Sequence, residues 1–253
     1  VPREEAALAN PDPTIQSDFA VVALLDALGT KGLLSRSAPD GLLKTWQTLL
    51  AVLEGLCNEV EASKATEACT FLAFSDTILI TVIPISETDQ PECLTLMHDL
   101  LQRFIWHAFV NGVYFRGAFS TGRFIQSAFR VIGESLEEAA ECYEQANWMG
   151  VMATPSANHL IEQMALDGWS MQKSFVKQDV PLRSNKRYDT WAVNWPKYAD
   201  DEAETENSSG KSKLLRSFRA YSGAISPSVA DKYANTLAFA HKVWQAPSSD
   251  SQS

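Results

Sequence analysis

The stretch FAVVALLDALGTKG, residues 19–32, decides the fold when it is set beside TFLAFSDTILITVIP, residues 70–84. Phe19 to Leu25 is an unbroken apolar run of strand length, the pattern of a strand buried on both faces. It ends in Asp26, which opens the turn DALGTKG. Thr70 to Ile83 reads as two strands rich in β-branched and aromatic residues, bent at Ser75 and Asp76. If the two units lie side by side, both carboxylates meet at one edge of a sheet. Paired acidic oxygens at such an edge are the donors from which a two-metal site for nucleotide chemistry is built.

Working outward, Leu42, Leu43, Trp46, Leu49, Leu50, Leu53, Leu56 and Val60 recur at helical spacing and predict a helix from Gly41 to about Val60. Leu94, Met97, Leu101, Phe104, Ile105 and Ala108 form the stripe of a second helix. Val113 to Ser120 and Phe124 to Ile132 read as two strands around a turn at Thr121 and Gly122. Ser135 and Glu138 have the spacing of a capping box, which opens a helix running to about Met149 before Gly150 ends it. A short strand VMAT, a helix PSANHLIEQMA and two late strands around Phe175 and Tyr188 to Trp195 complete the sheet.

This order contains the β-α-β-β-α-β plan, so the expected fold is α+β with a ferredoxin-like palm core and a C-terminal helical extension. The expected boundaries are a flexible tail over 1–17, a catalytic-type domain over 18–196, an acidic flexible insertion over 197–213, helices packed on the domain over 214–245, and a tail over 246–253. The GKS triplet at 210–212 is not a phosphate loop, because the earlier glycine and the preceding strand are missing.

Composition narrows the function classes. At 253 residues and 45% hydrophobic, the chain can bury one sizeable core. A net charge of -10 argues against gripping nucleic acid through general phosphate attraction. No apolar run approaches the roughly 20 residues that span a bilayer, and the first residues lack a signal-peptide layout, so the expected location is cytoplasmic, with no membrane contact. Cys57, Cys69, Cys93 and Cys142 form no C-x-x-C pair, and His98, His107, His159 and His241 show no H-E-x-x-H spacing. Zinc, disulfide, metalloprotease and serine-hydrolase readings have nothing to rest on.

Four segments in order, VALLDALGTKG, FSDTILI, FRGAFSTG and VIGESLEEAAECYEQA, resemble the class III nucleotidyl cyclase catalytic domain, and most of all the Pycsar antiphage pyrimidine cyclases. The resemblance spans about Phe19 to Trp195. It implies that Asp26 and Asp76 bridge two divalent metal ions, Mg²⁺ or Mn²⁺, with the carbonyl of Ala27 as a further ligand. It also implies that the turn Leu28, Gly29, Thr30 and Lys31 offers amide groups and charge to a triphosphate, and that Arg116 occupies the family's R-x-G position. For Arg116, a phosphate contact and a structural ion pair stand level. Gly117 and Gly122 read as sites of close backbone approach and turn.

Two features depart from the purine enzymes of that family. The helix after Gly133 carries Glu137 and Glu141 where an Asn and an Arg are expected, leaving Arg116, Lys173, Lys177, Lys186 or Arg187 to supply positive charge. The two base-reading places hold Leu72 and Arg130. An Arg offers donors only, which suits a pyrimidine O2 or O4 and not the exocyclic amine of adenine; the reading of Arg130 as a solvated strand residue stands level with this. The substrate expected from this resemblance is UTP, with CTP second. Tyr143 and Trp148 have the shape to stack a base, although packing is their more ordinary use. The resemblance further implies a homodimer with active sites at the interface and a separately encoded effector that senses the cyclic product. An alternative reading is a cyclase-like domain that has lost chemistry and serves nucleotide sensing or dimerisation. A diguanylate-cyclase or polymerase palm shares the core plan, but its acidic hairpin is here F-S-D-T with one carboxylate.

Overall fold

A computed structural model describes residues 14–28, 39–127, 130–169, 175–205, 209–220 and 227–245. The elements in chain order are β1 (Thr14–Leu28), α1 (Pro39–Glu61), β2 (Thr66–Phe74), β3 (Thr77–Pro84), α2 (Gln90–Val110), β4 (Tyr114–Ser127), β5 (Arg130–Ile132), α3 (Glu134–Gln145), β6 (Gly150–Ala153), α4 (Pro155–Leu166), β7 (Phe175–Pro181), β8 (Arg187–Val193), α5 (Trp195–Thr205), α6 (Gly210–Ala220) and α7 (Pro227–Gln245). The strands form one eight-stranded sheet in the order β2-β3-β1-β4-β6-β8-β7, with β5 paired to β4. Every pairing is antiparallel except β4 with β6.

The first four main strands give the β-α-β-β-α-β arrangement, α1 crossing over the place that β3 takes later and α2 crossing over β1. Right-handed crossovers are the rule for such connections, and two of them running in opposite senses put both helices on one face. Leu49 and Leu53 of α1 and Met97, Leu101 and Phe104 of α2 accordingly share a core with Val21, Ala23 and Leu25 of β1. The alternate residues Ala20, Val22 and Leu24 face a second, smaller core with Phe124, Leu79 and Ala139 of α3. Strand side chains alternate between faces. The apolar run therefore needs partners on both sides, and it has them.

Several expectations are corrected. The strand reading of 113–132 placed a turn at Thr121 and Gly122, but β4 runs unbroken from Tyr114 to Ser127, with Gly122 paired to Ala20. A register shift in β1 between Ser17 and Ala20 lies opposite, so the glycine accommodates a bulge and does not reverse the chain. The expected tail over 1–17 is strand from Thr14, because Thr14 to Ser17 pair with Phe124 to Ser127. The helix after Gly133 ends at Gln145, and Gly150 begins a strand. The capping box does not form. Ser135 Oγ donates to the Arg123 carbonyl, while Glu138 Oε1 accepts from the Ser156 N–H at 3.0 Å and Oε2 from Thr154 Oγ1 at 2.8 Å. Glu138 thus holds the start of α4, where a carboxylate complements the unpaired amides.

The segment 197–213, expected to be a flexible insertion, is helical over Trp195–Thr205 and again from Gly210. Its packing explains this: Ala199 is fully buried, and the Trp106 indole N–H donates to Glu202. A Cβ on Gly210 would fall 2.8 Å from the Ala199 carbonyl oxygen, so the glycine of the GKS triplet lets α6 approach α5. Aromatic contacts carry α6 and α7 onto the sheet edge where β4 starts. The Tyr114 ring lies 5.5 Å from Phe218 and 5.8 Å from Tyr233, and Trp148 and Trp195 pack on Phe239. No helix among the described residues is long and apolar enough to cross a membrane.

Candidate active site

The site grows from the end of β1. Following the alternation of that strand, Asp26 continues the Ala20, Val22, Leu24 series and emerges on the second face. Its cross-strand partners are Thr77 of β3 on one side and Arg116 of β4 on the other. The β2–β3 hairpin pairs Phe74 with Thr77, which leaves Ser75 and Asp76 as a two-residue loop. Ser75 takes a φ of 56°, a left-handed conformation uncommon for a side-chain-bearing residue. The Ala27 N–H donates to the Asp76 carbonyl at 2.8 Å, so the loop is tied to the end of β1. Asp26 and Asp76 are brought together by main-chain bonds, independently of what their side chains do.

Arg116 closes the other side. Its Nε and Nη2 both lie 2.8 Å from Asp26 Oδ2, and Nη1 donates to the Glu144 carbonyl at 3.3 Å. That carbonyl is in the last turn of α3, where unpaired carbonyls favour a cation. The Tyr143 ring covers the guanidinium with its centroid 5.3 Å away. Burial first, then the carboxylates of Asp26 and Glu144, push the Tyr143 phenol up from its ordinary value. Of the two readings held level for Arg116, the geometry has the ion pair. Gly117 beside it is required by close approach, because an added Cβ would meet Leu25 Cδ2 at 2.5 Å and the Leu24 carbonyl oxygen at 2.7 Å.

The other expected site residues are placed as follows. Leu28 is half-buried opposite Tyr114, while Gly29, Thr30 and Lys31 lie outside the described residues. Leu72 packs with Val131 and Tyr143 around the smaller core. Arg130 lies opposite Ser127 and one residue from Val131, so it projects from the other face of the β4–β5 ribbon. Trp148 is fully buried against Phe239 and is core; Tyr143 serves as the cover over Arg116. Glu137 and Glu141 are exposed on α3, a helix of sequence ESLEEAAECYEQ with no basic residue. Among the cations expected to compensate, Lys177 pairs with Glu162 and Arg187 with Asp179. Lys173 lies outside the described residues.

Two cations at this edge escaped the sequence reading. Burial first, and then Arg183 and Arg116, push the Lys232 ammonium down, while Asp26 acts in the opposite sense. Lys232 of α7 and Arg183 therefore share the electrostatic neighbourhood of Asp26 and Arg116. Neither stands in a motif. Lys232 is spaced one turn before Thr236 beside the buried residues Tyr233 and Phe239, a helix-edge pattern that many surface lysines share.

The donor set suits a hard divalent cation. Two carboxylates and a main-chain oxygen are all-oxygen ligands, and Mg²⁺ is ordinarily held by one or two carboxylates together with substrate phosphates. The residue 27 carbonyl points to the same side of β1 as its N–H, toward the Asp76 loop. Among the described residues no group of three or more His, Cys, Asp or Glu side chains is placed to hold a metal ion.

No family model and no curated protein matches the chain. Solved structures do. The catalytic core of a rhodopsin-guanylyl cyclase with converted specificity, in complex with ATPαS, is similar at 10% identity, covering 72% of this chain and 98% of that one with a TM-score of 0.52. A bacterial light-regulated adenylyl cyclase covers 80% of this chain and 97% of its own at 10% identity and TM-score 0.44. The adenylate/guanylate cyclase/hydrolase from Silicibacter pomeroyi covers 72% and 98% at 11% identity and TM-score 0.45. The first of these carries the comparison, and at that identity it concerns architecture. This chain has the palm-type α+β fold of a class III nucleotidyl cyclase catalytic core.

Proposed function

We propose that the chain is a metal-dependent nucleotidyl cyclase that converts a nucleoside triphosphate to its 3′,5′-cyclic monophosphate and pyrophosphate. The observation that carries this reading is the pairing of Asp26 with Asp76 at the sheet edge, fixed by the 2.8 Å Ala27–Asp76 main-chain bond in a cyclase-core fold. In the reaction the ribose 3′-oxygen forms a bond to the α-phosphorus, the bond to the bridging oxygen breaks, pyrophosphate leaves and the hydroxyl proton passes to solvent. Two divalent ions, when bound by Asp26, Asp76 and the Ala27 carbonyl, supply Lewis acidity for the 3′-oxygen and the departing phosphates. Asp26 and Asp76 hold negative charge at the edge, and Arg116 fixes the Asp26 carboxylate in one orientation. The finer parts of the proposal are a pyrimidine substrate, UTP before CTP, a homodimer, and a cyclic-nucleotide-sensing effector in antiphage defence. Leu72 and Arg130 support the first through residue type alone. The second and third rest on the resemblance alone.

The test incubates the purified chain with ATP, GTP, CTP and UTP in Mg²⁺ or Mn²⁺ and resolves the products. One cyclic pyrimidine nucleotide and stoichiometric pyrophosphate are expected, with turnover lost in Asp76→Ala. Absence of turnover with every triphosphate refutes the reading, and Arg130→Asp tests the base preference separately. A second reading, a catalytically inactive nucleotide-sensing or dimerisation module, is favoured by one observation. Asp26 Oδ2 is already engaged by both Nε and Nη2 of Arg116, an ion pair that neutralises a proposed ligand. Nucleotide binding without turnover is its signature.

A further inference from the structure

The ion pair between Arg116 and Asp26 is lopsided. A guanidinium commonly meets a carboxylate as a fork, one nitrogen to each oxygen. Here Nε and Nη2 both lie 2.8 Å from Oδ2, and among the described residues no group donates a hydrogen bond to Oδ1. One oxygen is taken twice and the other is left for a different partner. The arginine is also held by more than this carboxylate. Nη1 donates to the Glu144 carbonyl at 3.3 Å, the Tyr143 ring covers the guanidinium at 5.3 Å, and the side chain is only 10% exposed. Its backbone is fixed on both sides, opposite Asp26 of β1 and Gly150 of β6. A guanidinium keeps its charge at any pH the fold survives, so Oδ2 stays committed while Asp26 is ionised.

An arginine pinned in this way sets how its carboxylate can coordinate. With Oδ2 taken, Asp26 has one oxygen to give, and a cation must accept it as a monodentate ligand. Mg²⁺ is small, demands octahedral geometry and is served by single oxygens of one or two carboxylates; Ca²⁺ fills about six to eight positions and draws on bidentate carboxylates. Mn²⁺ shares the octahedral, all-oxygen preference. We propose that Arg116 is the positioning residue that selects the ion: by holding Oδ2 it makes Asp26 a one-oxygen ligand, so that the site favours a small octahedral divalent cation over Ca²⁺. This rests on the cyclase reading and deepens it. Arg116 touches no ion and acts through Asp26. The ion pair then shapes a ligand, where the inactive-module reading has it only neutralise one.

The experiment titrates the full chain with Mn²⁺ alone, following the free ion by electron paramagnetic resonance, and then displaces bound Mn²⁺ with Ca²⁺. The readout is the ratio of Ca²⁺ to Mn²⁺ affinity. Two ions of equal charge feel the guanidinium's repulsion alike, so its removal cancels in the ratio and the change in coordination remains. Wild type is expected to favour Mn²⁺, and Asp26→Asn to lose that binding. In Arg116→Met the ratio is expected to rise about tenfold toward Ca²⁺, the scale of one regained contact to a charged oxygen. Arg116→Lys can still place a donor on Oδ2 and is expected to stay within about threefold of wild type. Near-ultraviolet circular dichroism verifies the fold. Tyr143→Leu uncovers the guanidinium, is expected to move the ratio the same way by a smaller factor, and reads the same claim should Arg116→Met not fold. The proposal is overturned if wild type binds neither ion or prefers Ca²⁺, if the ratio is unchanged in both Arg116→Met and Tyr143→Leu, or if Arg116→Lys shifts it as far as Arg116→Met. An Arg116-dependent ratio in a chain that turns over no triphosphate keeps this inference and refutes the cyclase reading. Turnover with an unchanged ratio in Arg116→Met refutes this inference alone.

Discussion

Replacing Arg116 with Met tests the ion pair at the centre of the site. The guanidinium gives Asp26 Oδ2 two contacts of 2.8 Å, and Tyr143 covers it at 5.3 Å. Removing one partner of a buried pair costs about 3–5 kcal/mol, because the remaining charge is stranded. The side chain of Asp26 is 18% exposed against 10% for Arg116, so water recovers part of the loss and the lower end, about 3 kcal/mol, applies. At about 2–4 °C per kcal/mol for a chain of this size, the melting temperature drops by about 6–12 °C. Both contacts converge on one oxygen and are not additive. The assay is urea unfolding in EDTA of wild type, Arg116→Met, Asp26→Asn and the double variant. The double variant is expected to lose about 2 kcal/mol less than the sum of the singles. A coupling below about 0.5 kcal/mol refutes the claim that these two residues stabilise each other.

Two further outcomes follow from the geometry around that pair and from the core. Gly117→Ala puts a methyl against Leu25 Cδ2 and the Leu24 carbonyl, and is expected to cost about 1–3 kcal/mol in urea unfolding; a neutral result refutes the close-approach argument. His98 is buried, accepts from the Asn194 N–H at 3.2 Å on Nε2 and faces Asp99 through Nδ1 at 3.0 Å. Burial pushes its imidazolium down, so below the ordinary value near pH 6.5 the unfolded chain binds a proton that the folded chain refuses. Its contribution to stability is complete above that pH and declines as pH falls toward the lower folded value. Urea unfolding at pH 7.5 and 5.5 is expected to show a smaller drop in His98→Gln than in wild type; an equal drop refutes it.

The central sheet was legible because its signals are local and mutually consistent. The run from Phe19 to Leu25 needs apolar partners on both faces, and the hairpin at Ser75 and Asp76 lies between two β-rich runs; the fold obeys both. The stripes of α1 and α2 were equally plain. What failed were residues whose meaning is set by a distant neighbour. Gly122 reads as a turn, yet a bulge on the opposite strand makes it a strand residue. Glu138 has the spacing to cap its own helix, yet Thr154 and Ser156 claim it. The acidic stretch after Trp195 is too polar to announce a helix, and its order comes from Ala199, Glu202 and their contacts with other elements. In the site, the carboxylates stood at visible chain punctuation and the proximity of Asp26 to Asp76 was anticipated. Lys232 and Arg183 stood at none, because their convergence on Arg116 is a product of tertiary packing.

The hydrogen bond from Ala27 to Asp76 joins two segments separated in the chain by a whole crossover helix. In the unfolded chain the two carboxylates are far apart and compete poorly for a divalent ion against water. Only the docked hairpin would make them the chelate proposed above. On the proposed metal-binding reading, ion affinity would be a gauge of tertiary order, and by linkage the ion would favour the docked state in return. Mg²⁺ or Mn²⁺ that binds there would raise the melting temperature of wild type and leave that of Asp76→Ala nearly unmoved. On that proposal the pair of acidic turns would act as a clasp that an ion fastens only after the sheet has closed.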